Sequence, residues 1–342
     1  MTKNALMLPL ALVLAVAFAA TAGAQQAAFD RLPPDVLDAE APSERVTGEP
    51  GAMKIRRTSC HTAPMNEARR RIVDLAVQEW AFFGFIVVDQ TIVEDSGSGQ
   101  PRRRRWRRPG RAESARVAAS IAGYWTVTPQ GGWIIGEQND AWSGPRGVAS
   151  RWRYPWSAAF VSWAMCEAGL SEASRFQRAV AHHVYIDQAI RARGGRAPDA
   201  AFAAYDVGEA PVVPGDLLCS ARRPAYRSIA ERRRQLGVGA RTHCDIVVKV
   251  EPSRSRILAV GGNVRGAVSL KLLPASADGA DGTLRPLPGR RRIFAHLKLR
   301  APALAADALD RTPTMRAVRC TDDFPLPPQA AAAGLVRPGE HC

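Results

Sequence analysis

The chain has 342 residues, of which 46% are hydrophobic and 23% are charged, and its 28 Gly and 25 Pro exclude a collagen-like or low-complexity protein. Its formal net charge of +15 would attract anionic polymers such as nucleic acid, teichoic acids or lipid head groups. Only five of the 47 basic residues are Lys, and a skew toward Arg beside abundant Ala and Gly also fits genomic base composition, so the charge alone identifies no partner.

The first 24 residues have the pattern of a secretory signal peptide. One Lys precedes an apolar run over residues 6–20, and Ala22, Gly23 and Ala24 supply the small residues of a cleavage site. The run is shorter than the roughly 20 residues that a membrane-spanning helix needs, and no later segment is as long and uncharged. We therefore predict cleavage near Ala24 and an exported protein, periplasmic or secreted, with no transmembrane segment after cleavage.

The next segments combine an irregular start with two helices. Residues 25–65 are rich in Pro, Ala and charge without a sustained period, which predicts a loosely ordered lead-in. Amphipathic helices are predicted from Asn66 to about Phe83 and from Glu113 to Trp125. Between them, residues 96–111 carry turn formers and a dense run of Arg around Trp106, which predicts an exposed basic loop. Arg and Trp together can hold nucleic acid, but a solvated loop facing an anionic envelope explains the pattern equally well, and nucleic acid is not the expected partner.

The second half of the chain changes from helical to strand-like patterns. A segment rich in Gly and Trp shows no regular period, and helices are then predicted from Ser157 to Ala168 and from Arg175 to Arg191. From Val212 to Leu273, short apolar segments alternate with Pro, Ser and Gly turns, which is typical of an antiparallel sheet. Helices that precede strands indicate an α+β fold. We expect one α+β domain over residues 66–298 and a peripheral tail over residues 299–342.

Six cysteines lie in the part predicted to be exported, where an oxidising compartment permits disulfides. They are Cys60, Cys166, Cys219, Cys244, Cys320 and Cys342. Six cysteines allow 15 connectivities, and the sequence alone does not choose among them. We favour Cys219 with Cys244, because each lies in a strand-like segment of the same region. A Cys320–Cys342 pair would hold the C-terminal tail.

The common metal and cofactor motifs are missing from the sequence. It contains no phosphate-binding glycine loop, no HExxH zinc motif and no GxSxG turn, and no Cys pair has zinc-finger spacing. His182 and His183 are adjacent, and neighbours on a helix point about 100° apart, so they make a poor chelate. We expect no metal and no cofactor.

One set of polar residues has the order of a nucleophile, a base and an orienting group. Ser157 begins a predicted helix, His243 begins a predicted strand, and Asn263 lies near the end of the next strand. A hydroxyl is a weak nucleophile, so an imidazole must accept its proton and a third polar group must fix the ring's tautomer. The N–H groups of a helix start can hold an oxyanion. Each residue also has a structural interpretation: Ser157 as a helix N-cap, His243 as a surface residue, and Asn263 as a turn residue with positive φ.

Four segments in a fixed order resemble a known superfamily. They are PWSAAFVSWAMCEAGL from Pro155, PGDLLC from Pro214, HCDIVV from His243 and GGNV from Gly261. The CHAP and related papain-like amidases and peptidases have a Cys-x-x-Phe-Val segment opening a helix, a PGD turn, a strand led by His, and a third polar residue one strand later. The chain is similar to an uncharacterised exported bacterial family related to that superfamily, DUF2272, in which the nucleophile position commonly reads PWS. The resemblance covers roughly residues 72–274.

The resemblance implies a papain-like (CHAP-like) α+β fold, with N-terminal helices packed on a small antiparallel sheet. It places Ser157 where the superfamily has its catalytic Cys, His243 at the base and Asn263 at the orienting residue. Ser depends wholly on its base, whereas Cys is partly thiolate near neutrality, so this departure bears on the activity more than on the fold. Cys166 cannot replace Ser157, since a separation of nine residues places it on the opposite face of the helix.

Six further residues are candidates for binding substrate in a cleft. They are Trp156, Trp163, Asp216, Asp245, His182 and Tyr185. The two Trp residues are either core aromatics or a wall on which sugars stack. Asp216 also fits a turn residue bonded to backbone, and Asp245 shares a strand face with His243. His182 and Tyr185 lie three residues apart on one helix face, where an ordinary surface contact explains them as well.

These observations lead to two main functional hypotheses. The first is an exported cell-envelope hydrolase that cleaves an amide of peptidoglycan, with Ser157 attacking, His243 moving the proton and Asn263 orienting the imidazole. The alternative is a catalytically inactive papain-like module that binds cell-wall peptidoglycan or another anionic envelope polymer through its groove and Arg-rich surface. A third hypothesis, anionic-polymer binding led by residues 102–111, predicts steep salt dependence.

Overall fold

A computed structural model describes residues 28–92, 111–278, 283–288, 291–321 and 324–335. The predicted signal peptide, residues 96–110 of the predicted basic loop, and Cys342 of the predicted C-terminal disulfide lie outside the described residues. None of the helices in the described ranges is both long enough and apolar enough to span a membrane.

Most of the described helices precede the main strands, as the α+β prediction requires. They are α1 (Pro34–Leu37), α2 (Met65–Phe82), α3 (Arg111–Trp125), α4 (Gly131–Trp142), α5 (Ser157–Glu167), α6 (His183–Arg193), α7 (Ile229–Arg233), α8 (Pro313–Cys320) and α9 (Pro328–Ala332). The helices predicted from Asn66, Glu113 and Ser157 are confirmed as α2, α3 and α5. α4 lies in the segment without a regular period, because its glycines interrupt the apolar pattern.

The helix predicted from Arg175 is wrong over its first two turns, since α6 begins only at His183. The Gln188 side chain accepts a hydrogen bond from the backbone N–H of Gln177. It also donates to two backbone carbonyls that shortly precede Gln177 in the chain. These bonds hold the preceding segment in turns, a long-range effect that local periodicity does not contain.

The strands form one large sheet and a separate two-stranded ribbon. They are β1 (Val46–Thr47), β2 (Lys54–Ile55), β3 (Val87–Asp89), β4 (Phe202–Tyr205), β5 (Leu217–Arg223), β6 (Arg241–Glu251), β7 (Arg256–Val264), β8 (Ala267–Ser276), β9 (Arg285–Pro286) and β10 (Ile293–Leu299). The sheet order is β3-β8-β7-β6-β5-β10-β4, with β9 paired to β8. All these pairs are antiparallel except β3 with β8. The antiparallel sheet predicted over residues 212–273 is confirmed as its centre, and it is larger than predicted because β3, β4 and β10 join from distant parts of the chain.

Helix α5 is apolar on every side, and each of its residues is buried. It packs against α2 and α3 and against strands β6 and β7. A helix with no polar face is stable only when it is enclosed in this way. The enclosure fixes the start of α5, and therefore Ser157, against the centre of the sheet.

Two disulfides join the described residues. The predicted Cys219–Cys244 pair is confirmed and links directly paired positions of β5 and β6. A second disulfide, Cys60–Cys166, is absent from the prediction and ties the segment before α2 to α5. Both bridges are compatible with an oxidising compartment.

The lead-in and the tail contact the core more closely than their composition implies. Arg45 is fully buried and forms an ion pair with Glu167, the last residue of α5. In the tail, Leu309 and Met315 are fully buried in the hydrophobic core that also contains α2. Composition rich in Pro and Ala predicts few regular elements, but an ion pair and a disulfide can anchor an irregular segment without any periodic pattern.

Candidate functional site

Ser157 is the first residue of α5, and Trp156 rather than Ser157 occupies the N-cap position. Its hydroxyl is therefore not used for capping, in contrast to the structural interpretation of this residue. The Oγ atom lies 2.7 Å from Nε2 of His182, and Ser157 is 9% exposed. Because the first N–H groups of a helix have no intrahelical acceptor, the hydroxyl stands beside unpaired donors.

The contacts of His182 determine which of its nitrogens carries the proton. Nδ1 lies 3.2 Å from the backbone N–H of Cys244, and the Tyr185 hydroxyl contacts the same nitrogen. Since a backbone N–H can only donate, Nδ1 is an acceptor, and the proton of a neutral ring is then on Nε2. Nε2–H therefore donates to Ser157 Oγ. Burial, and next the neighbouring His243, hold the pKa of His182 well below its ordinary value, so the ring is neutral. Because Nε2 already carries a proton, it cannot accept the proton of Ser157.

His243 and Asp245 lie two residues apart in β6 and share one face of the strand. His243 Nε2 is 2.8 Å from Asp245 Oδ1, and Lys271 Nζ on β8 donates to Oδ2 at 2.7 Å. Burial acts to raise the pKa of Asp245, but His243 and Lys271 outweigh it and hold that pKa far below the usual range. The ionised carboxylate accepts the Nε2 proton of His243, which leaves Nδ1 of the neutral ring as its basic nitrogen.

Burial lowers the pKa of His243 more than Asp245 raises it, so this ring is also neutral near pH 7. The ring centroids of His182 and His243 are 5.1 Å apart. Ser157, both histidines and Asp245 therefore belong to one cluster at the start of α5. Within the described residues, Ser157 Oγ is hydrogen-bonded to His182 and not to His243. The contacts of His182 Nδ1 with Cys244 and Tyr185 hold its ring beside the Ser157 hydroxyl. The direct contact expected between Ser157 and His243 is thus absent from this structure.

Asn263 does not orient His243 in this structure. Its backbone has φ of 55°, and it lies where the pairing of β7 with β8 shifts register. This is the turn conformation that Asn beside Gly favours, as its structural interpretation predicts. The oxygen bonded to the ring of His243 comes instead from Asp245, which the sequence analysis placed among the substrate-binding candidates.

The two glycines before Asn263 make room for the cluster. A Cβ on Gly261 would lie 2.0 Å from Asp245 Oδ1 and 3.1 Å from His243 Nε2. A Cβ on Gly262 would lie 2.6 Å from the Cβ of Phe160 in α5. The GGNV segment thus serves the site through the space its glycines leave and not through an Asn side chain.

All six predicted substrate-binding residues are buried, and three of them, Trp156, Trp163 and Asp216, are not part of the cluster. Trp156 and Trp163 are 2% and 1% exposed and pack around Tyr124, so they are core aromatics and do not form the wall of a cleft. Asp216 is fully buried and accepts a hydrogen bond from Arg69 at 2.7 Å. Its position follows from the PGD turn, which directs the carboxylate inward to neighbouring donors.

Sequence reasoning placed His182 and Tyr185 near the pocket but missed that His182 contacts Ser157. It also missed Lys271, whose signal was available as a single charge within the apolar segment AVSLKLL. Across the described ranges, no group of three or more His, Cys, Asp or Glu residues is arranged to hold a metal ion. The cluster consists of a hydroxyl, a neutral N–H donor, and an imidazole oriented by a carboxylate.

Comparison with known proteins gives a family but no characterised relative. No curated protein and no solved structure matches the chain. One family model, described as an uncharacterized protein conserved in bacteria (DUF2272), matches residues 115–292. The matched region contains α5 and strands β5 to β8, and with them every residue of the cluster. Because the match spans just over half of the chain, the protein belongs to the DUF2272 family.

Proposed function

We propose that the protein is an exported hydrolase that cleaves an amide bond of peptidoglycan, with Ser157 as its nucleophile. The observation that carries this proposal is the oriented His243–Asp245 pair beside a helix-start hydroxyl that is not used as a cap. A neutral imidazole whose Nε2–H is bonded to a carboxylate has its basic nitrogen available for a proton. The orienting residue in this proposal is Asp245, in place of Asn263.

In the first step, Ser157 Oγ attacks the carbonyl carbon of the amide, and the hydroxyl proton moves to Nδ1 of His243. The C=O electron pair moves to the oxygen, where the unpaired N–H groups of the α5 start stabilise the negative charge. Asp245 stabilises the imidazolium that forms. His182 Nε2–H donates to Oγ, so it favours negative charge on that oxygen without competing for the proton.

In the second step, the C–N bond breaks and the amine leaves with the proton from His243. Water then loses a proton to His243 and attacks the carbonyl carbon of the Ser157 ester. The C–Oγ bond breaks, His243 returns the proton to Oγ, and the carboxylic acid leaves. The proposal requires Ser157 Oγ and His243 Nδ1 to approach each other when substrate binds. Catalytic hydrogen bonds are commonly longer before substrate binds.

The substrate and location are proposed from four features taken together. The four ordered segments resemble papain-like enzymes that act on amides, and the N-terminal pattern is that of a signal peptide. Two disulfides are compatible with an oxidising compartment. A net charge of +15 favours contact with anionic wall polymers. The bond cleaved would be the sugar–peptide link or a bond within the stem peptide.

The proposal is tested by incubating the mature protein with purified cell-wall sacculi and measuring newly formed amino groups. The expected result is release by the wild type and a loss of about a thousandfold or more in Ser157→Ala, since the nucleophile is removed. Ser174→Ala, at an exposed position, is the matched control and should behave as the wild type. Equal release by wild type and Ser157→Ala would contradict the proposal.

A second candidate function, binding without cleavage, is favoured by one observation. In this structure the Ser157 hydroxyl is bonded to His182, whose Nε2 already carries a proton. If the protein only binds, the wild type should release no amino groups from sacculi. The wild type and Ser157→Ala should then be retained on sacculi equally well. Amide cleavage that appears only in Ser157→Cys would show that the rest of the site is competent and that the native hydroxyl is not.

A further inference from the structure

Helix α4 exposes an aromatic ring close in sequence to the candidate site. Trp133 is 58% exposed, and the other large apolar side chains exposed in the described residues lie outside α4. Its ring centroid is 5.2 Å from that of Tyr154, with the two planes inclined by 51°. Leaving most of an indole in water forgoes a large amount of apolar burial, so this pair forms a small aromatic platform that no described residue covers.

Two neighbouring positions on the helix surface beside Trp133 carry no side chains. At about 100° per residue, Gly132 and Gly136 lie on the same side of Trp133, and both are exposed. A Cβ on Gly136 would meet nothing within 4 Å, and one on Gly132 would meet only Ile55 at 3.7 Å. Glycine weakens a helix, and no contact with the residues that the structure describes requires it at these two positions. The bare backbone extends the platform and lets a flat ligand approach closely.

Polar groups surround the platform. Glu137 forms an ion pair at 2.8 Å with Arg153, next in sequence to Tyr154, and Asp140 is exposed one turn after Gly136. The buried Gln138 accepts from the backbone N–H of Arg153 at 2.9 Å, which fixes this segment to α4. The platform is therefore rigid and has hydrogen-bond donors and acceptors at its edge.

We infer that Trp133, Tyr154 and the Gly132–Gly136 surface form a glycan-binding subsite for the sugar strand of peptidoglycan. A pyranose ring presents C–H groups on its faces, which pack on the negative face of an aromatic ring, and hydroxyl groups at its rim, which bond to carboxylate and guanidinium groups. The inference deepens the proposed function and rests on it for the choice of glycan. Tyr154 precedes Ser157 by three residues, so at most about 11 Å of chain separates the platform from the nucleophile.

A sugar fits this surface better than a protein segment does. Protein partners bury a broad apolar area, whereas Trp133 stands on α4 among glycines and charged residues. A single aromatic pair with charged groups at its edge offers stacking and hydrogen bonding within the width of one or two sugar rings.

The test measures binding of a soluble hexamer of β-1,4-linked N-acetylglucosamine by calorimetry, in full mature protein that carries Ser157→Ala to prevent cleavage. Trp133→Ala and Trp133→Leu should each raise Kd about tenfold or more, whereas Trp133→Tyr keeps a ring and should stay within about threefold. Val238→Ala, at a position 57% exposed, is the matched control. Gly136→Ala should raise the melting temperature and still raise Kd, because its methyl group covers the backbone that the sugar contacts.

Each outcome decides between named alternatives. The inference is overturned if the hexamer does not bind, or if Trp133→Ala binds it as well as the parent. Equal binding by Trp133→Leu would show a general apolar contact, as a protein partner makes, and would also overturn it. If wild type releases no amino groups from sacculi while hexamer binding depends on Trp133, the hydrolase proposal fails and the glycan subsite stands.

Discussion

Two histidine–aspartate pairs lie on the same sheet, each with Nε2 of the ring 2.8 Å from a carboxylate oxygen: His243 with Asp245, and His296 with Asp216. Both carboxylates have pKa values below their usual range, since burial is outweighed in each case by the histidine and a basic side chain, Arg69 for Asp216 and Lys271 for Asp245. Charge and distance therefore do not distinguish the two pairs.

The pairs differ in what surrounds them. Asp216 also accepts from Arg69 at 2.7 Å and from the backbone N–H of Leu299 at 3.0 Å, and His296 is fully buried. Among the described residues, the Nδ1 atom of His296 has no hydrogen-bond partner. This pair holds the PGD turn to β10 and has no route to a substrate.

The His243–Asp245 pair has an accessible ring and a chemically useful neighbour. The His243 side chain is 13% exposed, and the His182 ring that bonds Ser157 lies beside it. A carboxylate-oriented imidazole is therefore a candidate base only where its second nitrogen is open and close to a nucleophile. Elsewhere the same pair is part of the packing.

The largest expected effect is on folding, at the buried pair. Asp216→Ala leaves Arg69 buried without its carboxylate and should lower the free energy of unfolding by about 3–5 kcal/mol. Urea unfolding followed by tryptophan fluorescence measures this change. Asp199→Ala, at an exposed position, should change the stability by less than about 0.5 kcal/mol. A loss below about 1 kcal/mol for Asp216→Ala would contradict the structural role.

At the open pair the main effect should be on turnover. Asp245→Asn replaces an acceptor by an amide whose NH₂ can donate to Nε2, which favours the ring tautomer with its proton on Nδ1. We expect turnover on sacculi to fall about a hundredfold, equivalent to about 2.7 kcal/mol, with a smaller effect on stability than Asp216→Ala. Asn263→Ala is the informative control, because it should retain activity if Asp245 orients the ring. The reverse pattern would restore Asn263 to that role.

Much of the fold could be predicted because its signals are local. Helix α5 is a continuous apolar segment between a Pro-Trp start and a Gly end, and strands β5 to β8 alternate with clear turn residues. The Cys219–Cys244 bridge followed from two strand-like segments in one region. Strands β3 and β4 are short and join the sheet through partners far along the chain, so nothing in their own sequence distinguishes them from loops.

The candidate site was predicted less completely, for a related reason. Ser157 and His243 could be identified because each lies at or near the start of a regular element, and the structure brings them into one cluster. The role of His182 depends on the turns before α6, where the predicted helix is wrong. Asn263 was chosen as the orienting residue by its place in the motif, although Asn after Gly equally fits positive φ. Asp245, two residues from His243 on the same strand face, was recognisable from the sequence but was assigned to substrate binding.

The pH dependence of turnover provides a smaller effect, which reports the protonation of His243. The neutral form of His243 is the base, and burial lowers its pKa from the ordinary value, so activity should be full near pH 7 and fall as the pH drops through that lowered pKa. The inflection is expected below pH 6.5, with about a tenfold loss for each unit beneath it. The pH profile of initial rates measures it. An inflection clearly above pH 6.5 would mean that the base is not this ring.

The smallest predicted effect concerns Lys271, whose positive charge lowers the pKa of His243 and holds the second oxygen of Asp245. Lys271→Gln removes the charge, so the pKa of His243 should rise and the acid limb of the pH profile should move upward by less than about one unit. Turnover at pH 8 should change little, because the ring is neutral there in both proteins. Lys54→Gln, at an exposed position on β2, should leave the profile unchanged. A downward shift in Lys271→Gln would show that loss of the carboxylate's orientation outweighs loss of the charge, and that Lys271 acts on the base mainly by positioning Asp245.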